Sequence, residues 1–341
     1  MRQVINPPNP YLKYSTDFLG EPPQQTKLQV FEEYATKSVI SKSNFPGMGE
    51  RFIVNCYRGC MHGCTYCFAR RYHELLDFGC GTDFETKIVV KPNAPKVLRE
   101  ELKRSGKNVP HLEFSFATDP YLPLEAHYEL TRQCLAVCAD LRMPVGIMTK
   151  SPLITRDLDI LTKLKSVSVY FSIPFYTKEK SNPFEPYVPV PEVRFRAMET
   201  LANAGIAVGV AIAPVIPGYS ESEIPRVLER AYNCGARAAF MNMIHFDTDS
   251  ILDYFLQKLH ERVSPTRAQK IINTIKRERG GNLRHRNWDE RSAGKTEQWD
   301  MTRKLFDFHY KRLGFGRRRE EETEVVDILE EEAEIVQQKL F

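Results

Sequence analysis

Short apolar runs alternate with amphipathic stretches across most of this chain, and that alternation restricts the fold more than any other feature. The apolar runs are residues 87–90, 112–117, 145–149, 167–173, 207–212 and 238–243. Between them, residues 96–103, 130–140, 156–165, 192–203 and 222–234 place apolar side chains at helical spacing. Strands that are apolar almost throughout belong to a parallel sheet, and the intervening helices cover it. Six or so such units predict an α/β fold, a partial or full β/α barrel. A doubly wound open sheet alternates in the same way, but a glycine-rich nucleotide loop after the first strand would favour it, and none is present. Barrels gather their active sites at the C-terminal ends of the strands. Polar motifs stand at those places: Thr118-Asp119-Pro120 after 112–117, Lys150-Ser151 after 145–149, and residues 214–218 after 207–212.

The 341 residues can bury a large core, and 42% hydrophobic content reads as globular. Residues 1–50 are proline-bearing and read as an irregular N-terminal arm, ahead of a barrel core over 51–260. In that core, residues 51–55 read as a short strand and 67–76 as a helix. Residues 261–319 form a basic helical extension, with helices expected over 267–279 and 301–312. Its 17 Lys/Arg face 7 Asp/Glu, whereas residues 320–341 hold one Lys against 9 Asp/Glu. That acidic tail carries Val325, Ile328, Leu329, Ile335 and Val336 and reads as an amphipathic helix. No apolar run reaches membrane-spanning length, so no membrane partner is expected. The first residues lack a secretory core, and eight cysteines without a framework pattern suit a reducing cytoplasm.

Three of those cysteines carry the chemistry. Cys60, Cys64 and Cys67 stand as C-M-H-G-C-T-Y-C. Three thiolates at this spacing can hold three irons of a [4Fe-4S] cubane and leave the fourth open to a small molecule. The alternative is a structural zinc site with His62 or His73 as fourth ligand. Cys56 lies outside the triplet spacing and reads as a buried small residue. Cys134, Cys138 and Cys234 read as buried helix residues. Cys80, between Gly79 and Gly81, reads as an exposed loop thiol.

The flanks, Asn55-Cys56-Tyr57-Arg58-Gly59-Cys60 and Phe68-Ala69-Arg70-Arg71, together with the triplet, resemble the radical S-adenosylmethionine (SAM) superfamily. The resemblance is to its spore photoproduct lyase-like branch, also labelled DNA-repair photolyase-like, and covers about residues 37 to 315. It implies a partial (β/α)6-type radical SAM barrel and two cofactors, a [4Fe-4S] cluster and SAM. It implies reductive cleavage of SAM to a 5′-deoxyadenosyl radical, fed by an electron donor such as flavodoxin or ferredoxin. By resemblance, Tyr66 lies by the adenine, Thr118 hydrogen-bonds SAM, Lys150 pairs with its carboxylate or ribose oxygens, and Ser172 adds a hydroxyl. Pro214 to Gly218 would line the adenine slot. From position alone, each of these could be a cap or a rigid turn.

The resemblance also breaks at informative places. Cys56 replaces a usual proline. Ala117 stands where the branch's type member has a hydrogen-donating cysteine, and Phe68 stands for a relay tyrosine. The fate of the radical therefore does not transfer, and the reaction class, lyase-like or another hydrogen abstraction, stays open. Cys80 and Tyr121 are the candidate catalytic residues, with Tyr170 and Tyr176 as further donors. Glu125 and His127 follow the Asp-Pro-Tyr turn and could contact substrate. Arg194 and Arg196 could bind an anion or form a solvated helix face.

In the basic extension, Arg284-His285-Arg286-Asn287-Trp288, Arg291 and Lys295 interleave cations with an aromatic, and Arg317, Arg318 and Arg319 follow. Such a stretch can contact phosphates while Trp288 stacks on a base. The alternative is a solvated face neutralised by the acidic tail. The expectation is an enzyme acting on an unidentified substrate, with a nucleic-acid base or lesion favoured by the basic stretch. Its rival is a non-catalytic iron–sulfur or zinc module that supports nucleic-acid binding.

Overall fold

The protein is described here by a computed structural model, which covers residues 2–4, 28–45, 49–105, 108–284, 291 and 293–316. The strands, in chain order, are β1 (Arg2–Val4), β2 (Gln29–Glu32), β3 (Ile40–Phe45), β4 (Gly49–Val54), β5 (Tyr57–Arg58), β6 (Lys87–Val90), β7 (Leu112–Phe114), β8 (Val145–Thr149), β9 (Val167–Ser172), β10 (Ala207–Val215) and β11 (Ala238–Met243). Helices of ten residues or more are α1 (Ala94–Ser105), α2 (Leu130–Asp140), α3 (Pro191–Asn203), α4 (Ile224–Asn233), α5 (Asp249–Arg262), α6 (Pro265–Glu278) and α7 (Glu297–Leu313).

The six strands β4, β7, β8, β9, β10 and β11 lie side by side, each parallel to the next. β3 pairs antiparallel with β4 at one edge, and β11 is the other edge, so the barrel is open. This is a partial (β/α)6 barrel. Helix α2 buries Leu130, Cys134, Leu135 and Cys138, and α4 buries Val227, Leu228 and Ala231. Each buried Leu or Val contributes about 1.5–3 kcal/mol. Cys56 belongs to the same core: it is buried, with its sulfur 3.6 Å from that of Cys134.

The structure corrects several expectations. Residues 87–90 are not a barrel strand. They form β6 of a second sheet, ordered β1-β2-β6-β5, and β4 takes the first barrel position instead. Burial makes a strand apolar without saying which sheet buries it. Here β5 follows β4 closely and pairs antiparallel with β6, Tyr57 opposite Val90. The N-terminal residues are not irregular throughout, since they supply β1, β2 and β3. The β3 sequence, Ile-Ser-Lys-Ser-Asn-Phe, is mostly polar, as an edge strand tolerates.

The strand expected over 112–117 stops at Phe114, because Phe116 takes a φ of 86°. That left-handed conformation is rare for a bulky residue and turns the chain out of the sheet. Helix α5 is additional. Its buried Ile251, Tyr254, Phe255 and Leu259 lie at helical spacing, and the Thr248 side chain accepts from the Ile251 N–H at 3.3 Å to cap it. Among the described residues no helix is long and apolar enough to cross a membrane. His285, Arg286, Asn287, Trp288, Arg317, Arg318, Arg319 and the acidic residues 320–341 lie outside the described residues.

Candidate active site

The cysteine loop leaves the C-terminal end of β4 by way of β5. Gly59 makes the turn with a φ of 81°, and a Cβ there would sit 3.0 Å from the carbonyl oxygens of Phe84 and Lys87. The next residue docks on the same segment, as the Cys60 N–H donates to the Phe84 carbonyl at 2.8 Å. Thr65 N–H donates to the Phe184 carbonyl at 2.9 Å, which ties the loop to the segment between β9 and α3. Cys60 and Cys64 are buried, and Cys67 is partly so.

Arg70 clamps this loop from within. It is fully buried, and its guanidinium donates to the Cys64 carbonyl twice, at 3.0 and 2.9 Å. It also donates to the carbonyls of Cys80 and Gly81, both at 2.8 Å, and to Glu85 at 2.6 Å. The rings of Phe84 and Tyr254 flank it at 5.0 and 4.2 Å, and the Tyr254 hydroxyl donates to Glu85 at 2.6 Å. Only the planar five-donor group of arginine meets so many acceptors at once. Arg70→Lys is expected to cost about 2–3 kcal/mol in urea denaturation and to lower iron retained after reconstitution. Unchanged values in both measurements would remove the clamp from the account.

Electrostatics around Cys60 are distinctive. Burial pushes its thiol up, but the His62 imidazolium outweighs that and holds it below its ordinary value. Burial pulls His62 down, while Cys60 and Asp119 raise it to about 10. His62 Nδ1 lies 3.4 Å from Asp119. Asp119 accepts further from Thr149 Oγ1 at 2.6 Å, Lys150 N–H at 2.8 Å and Tyr121 N–H at 2.9 Å. Burial pushes Cys64 and Cys67 up, opposed by the nearby charge of Lys150 on Cys64 and of Arg70 and Lys150 on Cys67. His73 is buried between the rings of Phe78 and Phe84. Among the described residues no group of three or more His, Cys, Asp or Glu side chains is already drawn together as a metal site.

The residues expected to hold SAM come from successive strand ends. Lys150, just after β8, donates to Ser172 Oγ at the end of β9 at 2.6 Å. Ser172 in turn donates to the Ala213 carbonyl in β10 at 3.2 Å. The Lys150 ammonium sits 5.8 Å from the Tyr66 ring and 3.9 Å from Glu185. Thus Tyr66, Lys150 and Ser172 are brought together beside the cysteine loop. Pro214 lies where the β10–β11 register shifts, a place that tolerates proline. Gly218 N–H and Tyr219 N–H both donate to Glu221, at 2.5 and 2.9 Å. Thr118 reaches the loop itself, its hydroxyl donating to the Gly59 carbonyl at 2.6 Å.

Glu185 is the residue sequence reasoning missed. It is buried, accepts hydrogen bonds from the Tyr66 hydroxyl and Arg194, and accepts from Ser181 Oγ at 3.0 Å. Burial pushes its carboxyl up, but Arg194 and Lys150 outweigh that and hold it down. Arg194 is no solvated face residue: it is fully buried, donating to the carbonyls of Ser172 at 2.8 Å and Pro189 at 2.7 Å. No motif marks Glu185, although an acid inside Asn-Pro-Phe-Glu-Pro-Tyr is an unusual neighbour for so much apolar surface.

Other candidates fall elsewhere. Arg196 is exposed and pairs with Glu192 at 3.3 Å. Glu125 is buried and caps α2, accepting from Thr131 N–H at 2.9 Å and Arg132 N–H at 3.1 Å, so it is engaged away from any substrate. His127 is exposed against Tyr128. Tyr121 is fully buried, with its phenol near Asp157 and Glu125. Cys80 is half-buried near Ser250, and its carbonyl is held by Arg70.

The sequence model of the radical SAM superfamily matches residues 54–231. An uncharacterized protein of Mycobacterium tuberculosis is 37% identical over 196 residues, which is 56% of this chain and 58% of that protein. The chain therefore matches little more than half the length of this relative. An uncharacterized protein of Methanocaldococcus jannaschii is 29% identical over 266 residues, covering 74% of this chain and 95% of that protein. Spore photoproduct lyase with bound AdoMet and dinucleoside spore photoproduct aligns with a TM-score of 0.53 at 16% identity, covering 69% of this chain and 68% of that one. That likeness concerns the fold. With the cysteine triplet at the end of the first parallel strand and the superfamily match across half its length, the chain belongs to the radical SAM superfamily.

Proposed function

We propose that the chain is an enzyme that holds a [4Fe-4S] cluster on Cys60, Cys64 and Cys67 and binds SAM beside it. The observation that carries this reading is three thiols on one loop, within electrostatic reach of one another and of Lys150, which bonds Ser172 at the neighbouring strand end. A cluster held by Cys60, Cys64 and Cys67 would supply the electron for reductive cleavage of SAM, the chemistry that starts hydrogen abstraction from substrate. Lys150 offers a point charge to the SAM carboxylate, and Ser172 fixes where that charge sits. Tyr66, held through its hydroxyl by Glu185, would contact the adenine. His62 and Arg70 place positive charge and donors around the thiolates, and burial of the loop keeps water from the reacting groups. The electron donor is a one-electron protein such as flavodoxin or ferredoxin. The substrate is a nucleic-acid base or lesion, a class favoured by the basic extension.

The test is anaerobic reconstitution followed by incubation with SAM and a strong reductant, with and without nucleic acid. Expected is 5′-deoxyadenosine from the native chain. Its absence from fully iron-loaded protein under both conditions would sink the reading. Lys150→Met is expected to weaken SAM binding about tenfold in equilibrium dialysis, the equivalent of about 1.4 kcal/mol. Unchanged binding would take Lys150 out of the SAM site.

A further inference from the structure

Helix α6 borders two clefts. One, of about 690 Å³, is lined by residues that include Lys180, Gly218, Tyr219, Arg267 and Lys270. The other, of about 520 Å³, shares Thr266, Lys270 and Gln298 with it and extends to Asn273 and Arg277. Shared walls make them one trough along α6. Arg267 to Arg277 spans about 15 Å at the helical rise.

The charges in this trough are unbalanced. Arg267, Lys270 and Arg277 are exposed and form no ion pair with a carboxylate among the described residues. Lys180 adds a fourth cation, its ammonium donating to the Tyr219 carbonyl at 2.7 Å. The one carboxylate in the lining, Glu221, is engaged by the amides of Gly218 and Tyr219. An ordinary solvated helix face intersperses acids with bases. The acid of α6, Glu278, is instead buried and accepts from Thr296 Oγ1 at 2.7 Å. Ser222, Ser264, Thr266, Gln269 and Asn273 add neutral donors between the cations.

A row of cations separated by hydroxyl and amide donors matches a ligand with regularly repeated anionic oxygens. Gly218 and Tyr219, in one wall, follow the C-terminal end of β10, so the trough opens beside the barrel's active face. We propose that this trough binds the phosphodiester backbone of a nucleic acid. It deepens the functional reading above by locating the substrate's backbone on α6 and Lys180.

The test reads binding alone, so it stands or falls apart from SAM cleavage, which 5′-deoxyadenosine formation reports without nucleic acid. Full-length protein is titrated against a fluorescent single-stranded oligonucleotide and against the same sequence as duplex, from low to moderate salt. The variant Arg267→Glu/Lys270→Glu/Arg277→Glu is compared with Lys276→Glu, which is on the same helix but outside the trough. The triple variant is expected to bind at least about thirtyfold more weakly, and its log–log salt slope to fall by about 2–3. Lys276→Glu should stay within about twofold of native, and circular dichroism should show both variants folded. The strand form that binds more tightly identifies the source of the backbone. Native protein that binds neither form, a triple variant that binds as native, or equal weakening by Lys276→Glu overturns the proposal. So does tighter binding of poly-glutamate than of either oligonucleotide.

Discussion

Changing Cys60, Cys64 and Cys67 together to Ala is expected to drop reconstituted iron from about four per chain to near zero and to bring 5′-deoxyadenosine below detection. The size of the effect follows from geometry. The three thiols share one turn-rich loop, while Cys56, Cys134 and Cys138 pack together in the core. The loop's backbone is held by groups other than the thiols, since Arg70 holds backbone carbonyls and Thr118 holds Gly59, although Cys60 also faces His62. The triple variant should therefore remain folded, with a near-native circular dichroism spectrum and no absorbance from iron–sulfur charge transfer. Zinc at one per chain in the native protein, with no iron taken up under anaerobic conditions, would overturn the cluster assignment in favour of a metal module.

Arg194→Met is expected to lower stability by about 3–5 kcal/mol, because removing one partner of a buried ion pair leaves the other charge uncompensated. The stranded group is Glu185, which has no exposed surface to relax toward. The same change frees the carbonyls of Ser172 and Pro189, both inside the protein. Urea denaturation of apo protein measures the loss. Adding Glu185→Gln should recover part of it, since the amide removes the stranded charge and keeps a hydrogen-bond acceptor for Tyr66. A loss under about 1 kcal/mol for Arg194→Met, or no recovery in the double variant, would mean that the network is not cooperative. Because Glu185 also faces Lys150 and holds Tyr66, SAM affinity in the double variant tells how far the pair positions the site rather than merely stabilising it.

Much of the fold is legible in the chain because burial writes a strong pattern. The runs at 145–149 and 238–243 coincide with β8 and β11, and the helix over 130–140 coincides with α2. What the pattern omits is partnership. An apolar strand such as β6 looks the same whether it belongs to the barrel or to a side sheet, and only pairing with β5 decides. Polar β3 looks like coil until an edge accepts it. At the candidate site, the thiols are readable from their spacing and Lys150 and Ser172 from their places at strand ends, whereas Tyr66 is named only by the resemblance. Glu185 and the burial of Arg194 are not, since their roles arise from contacts between segments that no local pattern joins. Arg194 sits on an ordinary amphipathic helix, and only the approach of the loop before α3 shows which way it points.

The bond from Tyr254 to Glu85 joins residues 169 positions apart in the chain. Helix α5 thus reaches back to brace the arginine that holds the cysteine loop. A growing polypeptide has completed β4 through β11 before that brace emerges from the ribosome. The cysteine loop therefore gains this support only after every strand of the barrel has been made, so its final bracing depends on sequence far downstream of the loop itself.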